Sequence, residues 1–234
     1  MKIIALSLWG SDQKYLRGII ENVRLGKEFY PGWAYVVYAH NEVPEGVLDA
    51  IWEAGVTEIA IRDGIPEREG LYWRMEDIFV HPEESAVIIR DADSRPSARE
   101  AACVREWLSS GKAVHTIRDH RCHTAPIMGG LWGAIPRLLN KELPAVAMSY
   151  GMRMDFVRSA TEAEGKPKHG RMQFSDQDWL AVEVFHKLVR AQITVHDDRK
   201  FTGQDDLPLR VKAKSPMDFC GQVYSAEGVP FWKP

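Results

Sequence analysis

Cysteine is scarce in this chain: Cys103, Cys122 and Cys220 are the only three, odd in number and widely scattered. No C-x-x-C pair offers a structural zinc site, and the cysteine usage fits a reducing, cytoplasmic compartment. Long apolar runs are missing too. None approaches the ~20 residues of a membrane-spanning helix, so no membrane insertion is expected. The opening MKIIALSLWGSDQ has neither a basic leader nor a small-residue cleavage site and reads as a first strand. Neither sign of charge dominates, with 30 Lys and Arg against 33 Asp and Glu, a net charge of −3. That balance excludes a global pull toward nucleic acid or an anionic membrane and leaves room only for local basic patches. Internal repeats and low-complexity segments are absent.

What is present suits one sizeable core: 234 residues, 45% of them hydrophobic. The first half alternates between two periodicities. Lys2 to Leu8 is an apolar run, and Ser11 is placed to cap a helix whose face is Leu16, Ile19, Ile20 and Val23. Trp33 to His40 reads as a second strand, followed by a short helix through Val47, Leu48, Ile51 and Trp52 that stops at Gly55. Thr57 to Arg62, a helix over Gly70 to Val80, and Ala86 to Arg90 complete the pattern. Ser97 and Glu100 form a capping box ahead of Val104, Trp107 and Leu108. Strands alternating with helices at this spacing predict an α/β fold, a mostly parallel central sheet between helical layers.

Such sheets bind ligands beyond the carboxyl ends of their strands. The fourth apolar run ends there in Arg-Asp-Ala-Asp-Ser-Arg, Arg90 to Arg95. Two adjacent like charges call for neutralisation, by a hard cation such as Mg²⁺ or Mn²⁺ or by the flanking arginines. After Gly111 the rhythm loosens. His115 to His123 packs three histidines, two arginines and Asp119 into nine residues. Its spacing matches no strong zinc pattern, and the arginines suit phosphate binding or an internal ion-pair network, with Arg118 on Asp119, better than a cation. Ala125 to Ile135 is glycine-rich and apolar, and 162–171 is the most polar, broken stretch. Ser175 precedes a helix carrying Asp176, Gln177 and Asp178 in its first turn, with Leu180, Val184 and Leu188 on one face. A short strand then ends in His196, and the Pro- and Gly-rich tail is expected to wrap the domain.

In this order the pieces resemble GT-A-fold glycosyltransferases. They resemble more closely a group of small bacterial and phage glycosyltransferase-like proteins, through SLWG (Ser7–Gly10), YPGW (Tyr30–Trp33), YWR (Tyr72–Arg74) and RDADSR (Arg90–Arg95). HTIRDH (His115–His120), GGLWG (Gly129–Gly133) and FCGQ (Phe219–Gln222) extend the likeness over nearly the whole chain. The resemblance implies a single αβα sandwich over 1–234, with a nucleotide-sugar-binding half (1–95) and an acceptor-binding half (96–234). It implies Mn²⁺ or Mg²⁺ held by Asp91 and Asp93, with His196 as a late third ligand. It implies Leu8, Trp9, Gly10 and Tyr15 around the nucleoside of a UDP- or GDP-sugar, and Arg74, Arg90, Asp91, Arg118, His120, Gly130 and Gln177 about the rest of the donor. Asp176 or Asp178 would be the catalytic carboxylate. A basic diphosphate clamp is missing after His196, where the chain reads HDDRK.

Two other classes share the D-x-D: a haloacid-dehalogenase-like phosphohydrolase with Asp91 as nucleophile, and a non-catalytic nucleotide-sugar-binding module. The former normally carries its motif after the first strand, not the fourth. The acceptor is open between a glycan, a small molecule and a hydroxylated base in phage DNA. Arg153, Arg158, Lys166, Lys168, His169 and Arg171 read either as a solvated loop or as an anion-binding surface.

Overall fold

Alternation within the strands decides which way each side chain of the sheet faces. In β1 (Lys2–Leu8), Ile3 and Ala5 enter one apolar layer while Ile4, Leu6 and Leu8 enter the other. The same division splits β2 (Ala34–His40) and β4 (Ala86–Arg90), so the sheet has a core on each face. The computed structural model describes residues 1–159, 175–198 and 206–231. The other strands are β3 (Glu58–Arg62), β5 (Val114–Arg118), β6 (Leu131–Ala134) and β7 (Ile193–Asp197). The seven run in the order β3-β2-β1-β4-β6-β5-β7, and β6 alone is antiparallel to its neighbours. The α/β fold with a mostly parallel sheet is thus observed.

One face is covered by α1 (Gln13–Phe29), α2 (Glu45–Ala54) and α5 (Ala98–Ser110). Against the other pack α3 (Pro66–Trp73), α4 (Glu76–Phe79), α6 (Pro136–Glu142), α7 (Val146–Ser159) and α8 (Asp176–Leu180). Several boundaries differ from the sequence reading. Asp12, not Ser11, caps α1, its carboxylate accepting from the Lys14 N–H at 2.9 Å. The helix expected over 70–80 is two, because the chain turns at Arg74 and Met75, where the Arg74 N–H bonds the Ser7 hydroxyl at 3.2 Å. Ser175 makes no side-chain cap, and its helix passes into a π-helical turn at Ala181–Phe185. The glycine-rich segment contains a buried strand, β6, and α6 and α7 have no counterpart in the sequence reading. The polar stretch 162–171 lies outside the described residues.

Candidate active site

β1 leads to β2 through α1 on one face, whereas β4 is reached from β3 through α3 and α4 on the other. The direction of winding therefore reverses between β1 and β4, which leaves a crevice beyond their carboxyl ends. A cavity of about 320 Å³ opens there, walled by Ser7 and Trp9 after β1, Asp91 and Asp93 after β4, and Tyr15 and Arg74. A second, of about 220 Å³, adds Gly129, Gly130, Asp176 and Gln177. A third, of about 210 Å³, is lined by His120, His123, Phe219 and Phe231. Asp91 is a wall of all three.

The carboxylates differ in surroundings. The Asp91 side chain is 49% exposed and takes one guanidinium nitrogen of Arg74. The other terminal nitrogen of Arg74 reaches Asp176 Oδ2 at 3.2 Å, so this 4%-exposed arginine ties the end of β4 to the start of α8. Burial opposes the charge on Arg74, but Asp91 and Asp176 together raise its pKa above the usual value. Asp93 is buried, with Lys14 Nζ at 3.2 Å from Oδ2. Burial first, and then the charge of Asp91, push the Asp93 carboxyl upward. Burial likewise raises Asp176, against the pull of Arg74. Three carboxylates face two cations, leaving one negative charge in excess.

The loop that carries the aspartates is fastened from behind. The Asn22 amide donates to the carbonyls of Ala92 (3.1 Å) and Ser94 (2.7 Å), and the Tyr224 N–H donates to the Asp93 carbonyl at 2.9 Å. Glycine is required opposite the carboxylates, because a Cβ on Gly130 would overlap Asp91 and one on Gly129 would overlap Asp176.

Trp9, Tyr15, Arg74, Asp91, Asp93, His120, Gly130, Asp176 and Gln177 are thus gathered around the crevice. Other candidates are placed elsewhere. Leu8 points into the core, and Gly10 is an exposed turn residue with φ +75°. Asp178 is exposed and lines none of the three cavities. Arg90 is buried against Glu100 (Nε to Oε1 2.6 Å) and the Ile89 and Trp132 carbonyls, so it has a structural partner where a phosphate was expected. Arg118 is enclosed between Asp197 (3.2 Å) and Asp206 (3.3 Å), while Asp119 pairs with Arg99 at 3.1 Å. The expected Arg118–Asp119 pair is therefore exchanged for longer-range partners.

His196 is corrected most firmly. Its Nδ1 meets His115 Nε2 at 3.0 Å and its Nε2 meets Glu106 at 3.2 Å, so both ring nitrogens already have protein partners. The histidines of the 115–123 cluster diverge, His115 to this pair and His120 onto the Phe219 ring at 4.0 Å. Arg158 pairs with Glu69, and Arg153 bonds the Tyr72 hydroxyl and lies over its ring. The remaining basic residues of that patch lie outside the described residues. Sequence reasoning missed Ser7, Lys14, Leu71, Gly129 and Val223 as site residues. Only the doubled glycine and a lysine in the first turn after β1 left any signal.

Among the described residues, no group of three His, Cys, Asp or Glu side chains converges as a metal site. Two aspartates on a wall with excess negative charge still suit a hard divalent cation that draws its other ligands from substrate oxygens and water.

No family model and no curated protein matches this chain. Solved structures with similar coordinates include a mannosyltransferase from Pyrobaculum calidifontis in complex with GDP-Man and Mn²⁺ (16% identity, 60% of this chain, TM-score 0.43). This chain spans 46% of that protein. Glucosyl-3-phosphoglycerate synthase of M. tuberculosis aligns over 93% of this chain and 74% of its own, at 12% identity and TM-score 0.49. An active-site mutant of LgtC aligns over 100% and 88%, at 13% and 0.49. No TM-score here reaches 0.5, so the functional argument rests on the crevice itself.

Proposed function

We propose that this chain is a metal-dependent glycosyltransferase of the GT-A type, transferring a sugar from a UDP- or GDP-sugar to a hydroxyl acceptor. The observation that carries the reading is the position of Asp91 and Asp93, beyond a fully buried strand at the point where the sheet reverses. Trp9 and Tyr15 offer flat rings to the nucleoside, and Asp91 and Asp93 would hold Mn²⁺ or Mg²⁺. That ion supplies positive charge to the departing diphosphate, where negative charge develops in the transition state. Arg74 is already committed to two carboxylates, so it acts by fixing Asp91 and Asp176 relative to each other.

In the transfer step the acceptor oxygen bonds to the anomeric carbon as the bond from that carbon to the donor phosphate breaks. The electron pair of that bond leaves with the nucleoside diphosphate. Asp176 takes the acceptor proton, and burial gives its carboxylate the raised basicity this needs. Residues 1–95 provide the donor walls, and His120, Gly130, Asp176 and Gln177 from 96–234 provide the acceptor side of one domain. Acceptors in keeping with this site are a glycan, a hydroxylated small molecule or a hydroxylated base in phage DNA.

Titration calorimetry with UDP-glucose and GDP-mannose tests the reading. Saturable binding that requires Mn²⁺, disappears with EDTA and is lost in Asp91→Ala and Asp93→Ala is the expected result. Unchanged affinity in both variants, or hydrolysis of a phosphate monoester with no glycosyl donor, would overturn it.

A further inference from the structure

The largest described cavity is not the crevice. A groove of about 620 Å³ lies behind the aspartate loop, between α1 and residues 224–228. Its cations are Arg17, Arg24 and Arg95, and its carboxylates are Glu21 and Glu227. Arg24 is answered by Glu21 at 2.8 Å. Arg17 and Arg95 have no ion pair among the described residues. Arg17 reaches only the Ala226 carbonyl at 3.4 Å. Arg95 is half-buried and donates through a single nitrogen, to the Ser94 carbonyl at 2.7 Å and the Gly18 carbonyl at 3.5 Å. Its guanidinium lies 5.0 Å from the centre of the Tyr224 ring, which holds it in plane. Ile20, Leu25 and Pro96 add an apolar floor.

A half-buried guanidinium with free N–H groups and no carboxylate is costly to maintain unless an anion completes it. The groove's volume is that of a small-molecule site, and its mixture of apolar floor and convergent donors is typical of one. Its walls also bear on the crevice. Arg95 follows Asp93 by two residues, and the main chain of Tyr224 bonds the Asp93 carbonyl. A ligand filling the groove therefore presses on the loop that carries Asp91 and Asp93.

We propose that this groove binds the phosphate of a small phosphate monoester, with Arg95 and Arg17 as its ligands and the organic part over Ile20 and Tyr224. Resting on the glycosyltransferase reading, we assign that ester as the acceptor, anchored by its phosphate while a hydroxyl enters the crevice. Recognition by two guanidinium groups makes the site selective for a dianion over a neutral sugar.

The experiment has a binding arm and a transfer arm. With EDTA present, calorimetry compares glucose 1-phosphate, inorganic phosphate and glucose. Saturable binding of the ester, weaker binding of inorganic phosphate and none of glucose is expected. Arg95→Gln and Arg17→Gln should each weaken the ester at least about tenfold, as loss of a charge-assisted contact does, with donor affinity in Mn²⁺ unchanged. In the second arm, Mn²⁺ and a nucleotide sugar are incubated with a panel of sugar phosphates and their dephosphorylated counterparts. Glycosylated product from phosphorylated members only, with KM raised and kcat kept in Arg95→Gln, supports the acceptor assignment. Equal use of dephosphorylated members overturns it. Absent ester binding, binding of inorganic phosphate as tight as the ester, or indifference to both substitutions overturns the groove whatever the donor does. Ester binding that depends on Arg95, in a protein that binds no donor, would leave the groove standing and overturn the glycosyltransferase reading instead.

Discussion

Arg118 and Asp91 both follow strands that end at the same edge of the sheet, yet their surroundings are opposite. Arg118 is 1% exposed and closed in by Asp197 and Asp206, the latter also held by Arg190 at 2.5 Å. Asp91 is half open, faces three cavities and belongs to a group in which carboxylates outnumber cations. In the first region every charge finds its counter-charge inside the protein. In the second one negative charge is left over. Charge density along the chain is similar in the two, so it is the balance of charges, not their number, that separates a brace from a binding site.

The contrast is broken most severely at the closed end. Arg118→Ala leaves Asp197 and Asp206 buried with a cation removed, and a loss of about 3–5 kcal/mol is expected for breaking such a pair. Urea denaturation measures it, and a loss below about 1 kcal/mol would show that the enclosed network is not a brace. At the open end, Asp176→Asn should leave stability and donor affinity near the parent values while slowing turnover about a hundredfold, the lower range for a general base. Proton NMR of the first-formed product should show inversion at the anomeric carbon, because a base on the acceptor's side implies attack from the face opposite the leaving phosphate. Retention, or near-normal turnover, would remove Asp176 from that role.

The smallest effect concerns pH. Burial drives the pKa of His115 well below the ordinary histidine range, and burial lowers His196 as well, against the pull of Glu106. A folded-state pKa below the unfolded value gives stability that is complete above about pH 6.5 and is lost as the pH falls below it. Asp77, raised by burial to about 6, works in the opposite direction over the same range. The comparison with His115→Phe isolates the histidine contribution, since the ring can keep its stacking on Trp107. Melting temperatures from pH 7 to 5 should fall more steeply in the parent than in the variant. Parallel curves would refute the assignment.

The strands of the first half were legible because burial on both faces demands unbroken apolar runs, as in Ala86 to Ile89. β6 was not, because its glycines serve other ends: Gly133 packs against Ile88, while Gly129 and Gly130 just before the strand make room for carboxylates. Asp91, Asp93 and Asp176 could be picked out by their places at a strand end and a helix start. Arg90, Arg118 and His196 were misjudged for a common reason. A buried cation or imidazole and a phosphate ligand look alike in sequence until the partner is known, and Asp206 stands 88 residues from Arg118.

The bond from Tyr224 to the Asp93 carbonyl has a consequence for how the molecule comes into being on the ribosome. β1, β2, β3 and β4 are contiguous in the first ninety residues and can pair as they emerge, but the aspartate loop is fastened only when residue 224 has left the exit tunnel. A nascent chain therefore carries a formed half-sheet with an unfastened metal loop for most of its synthesis. Competence to bind a donor should arise late and abruptly, and a chain stopped before residue 224 should retain the half-sheet without gaining that competence.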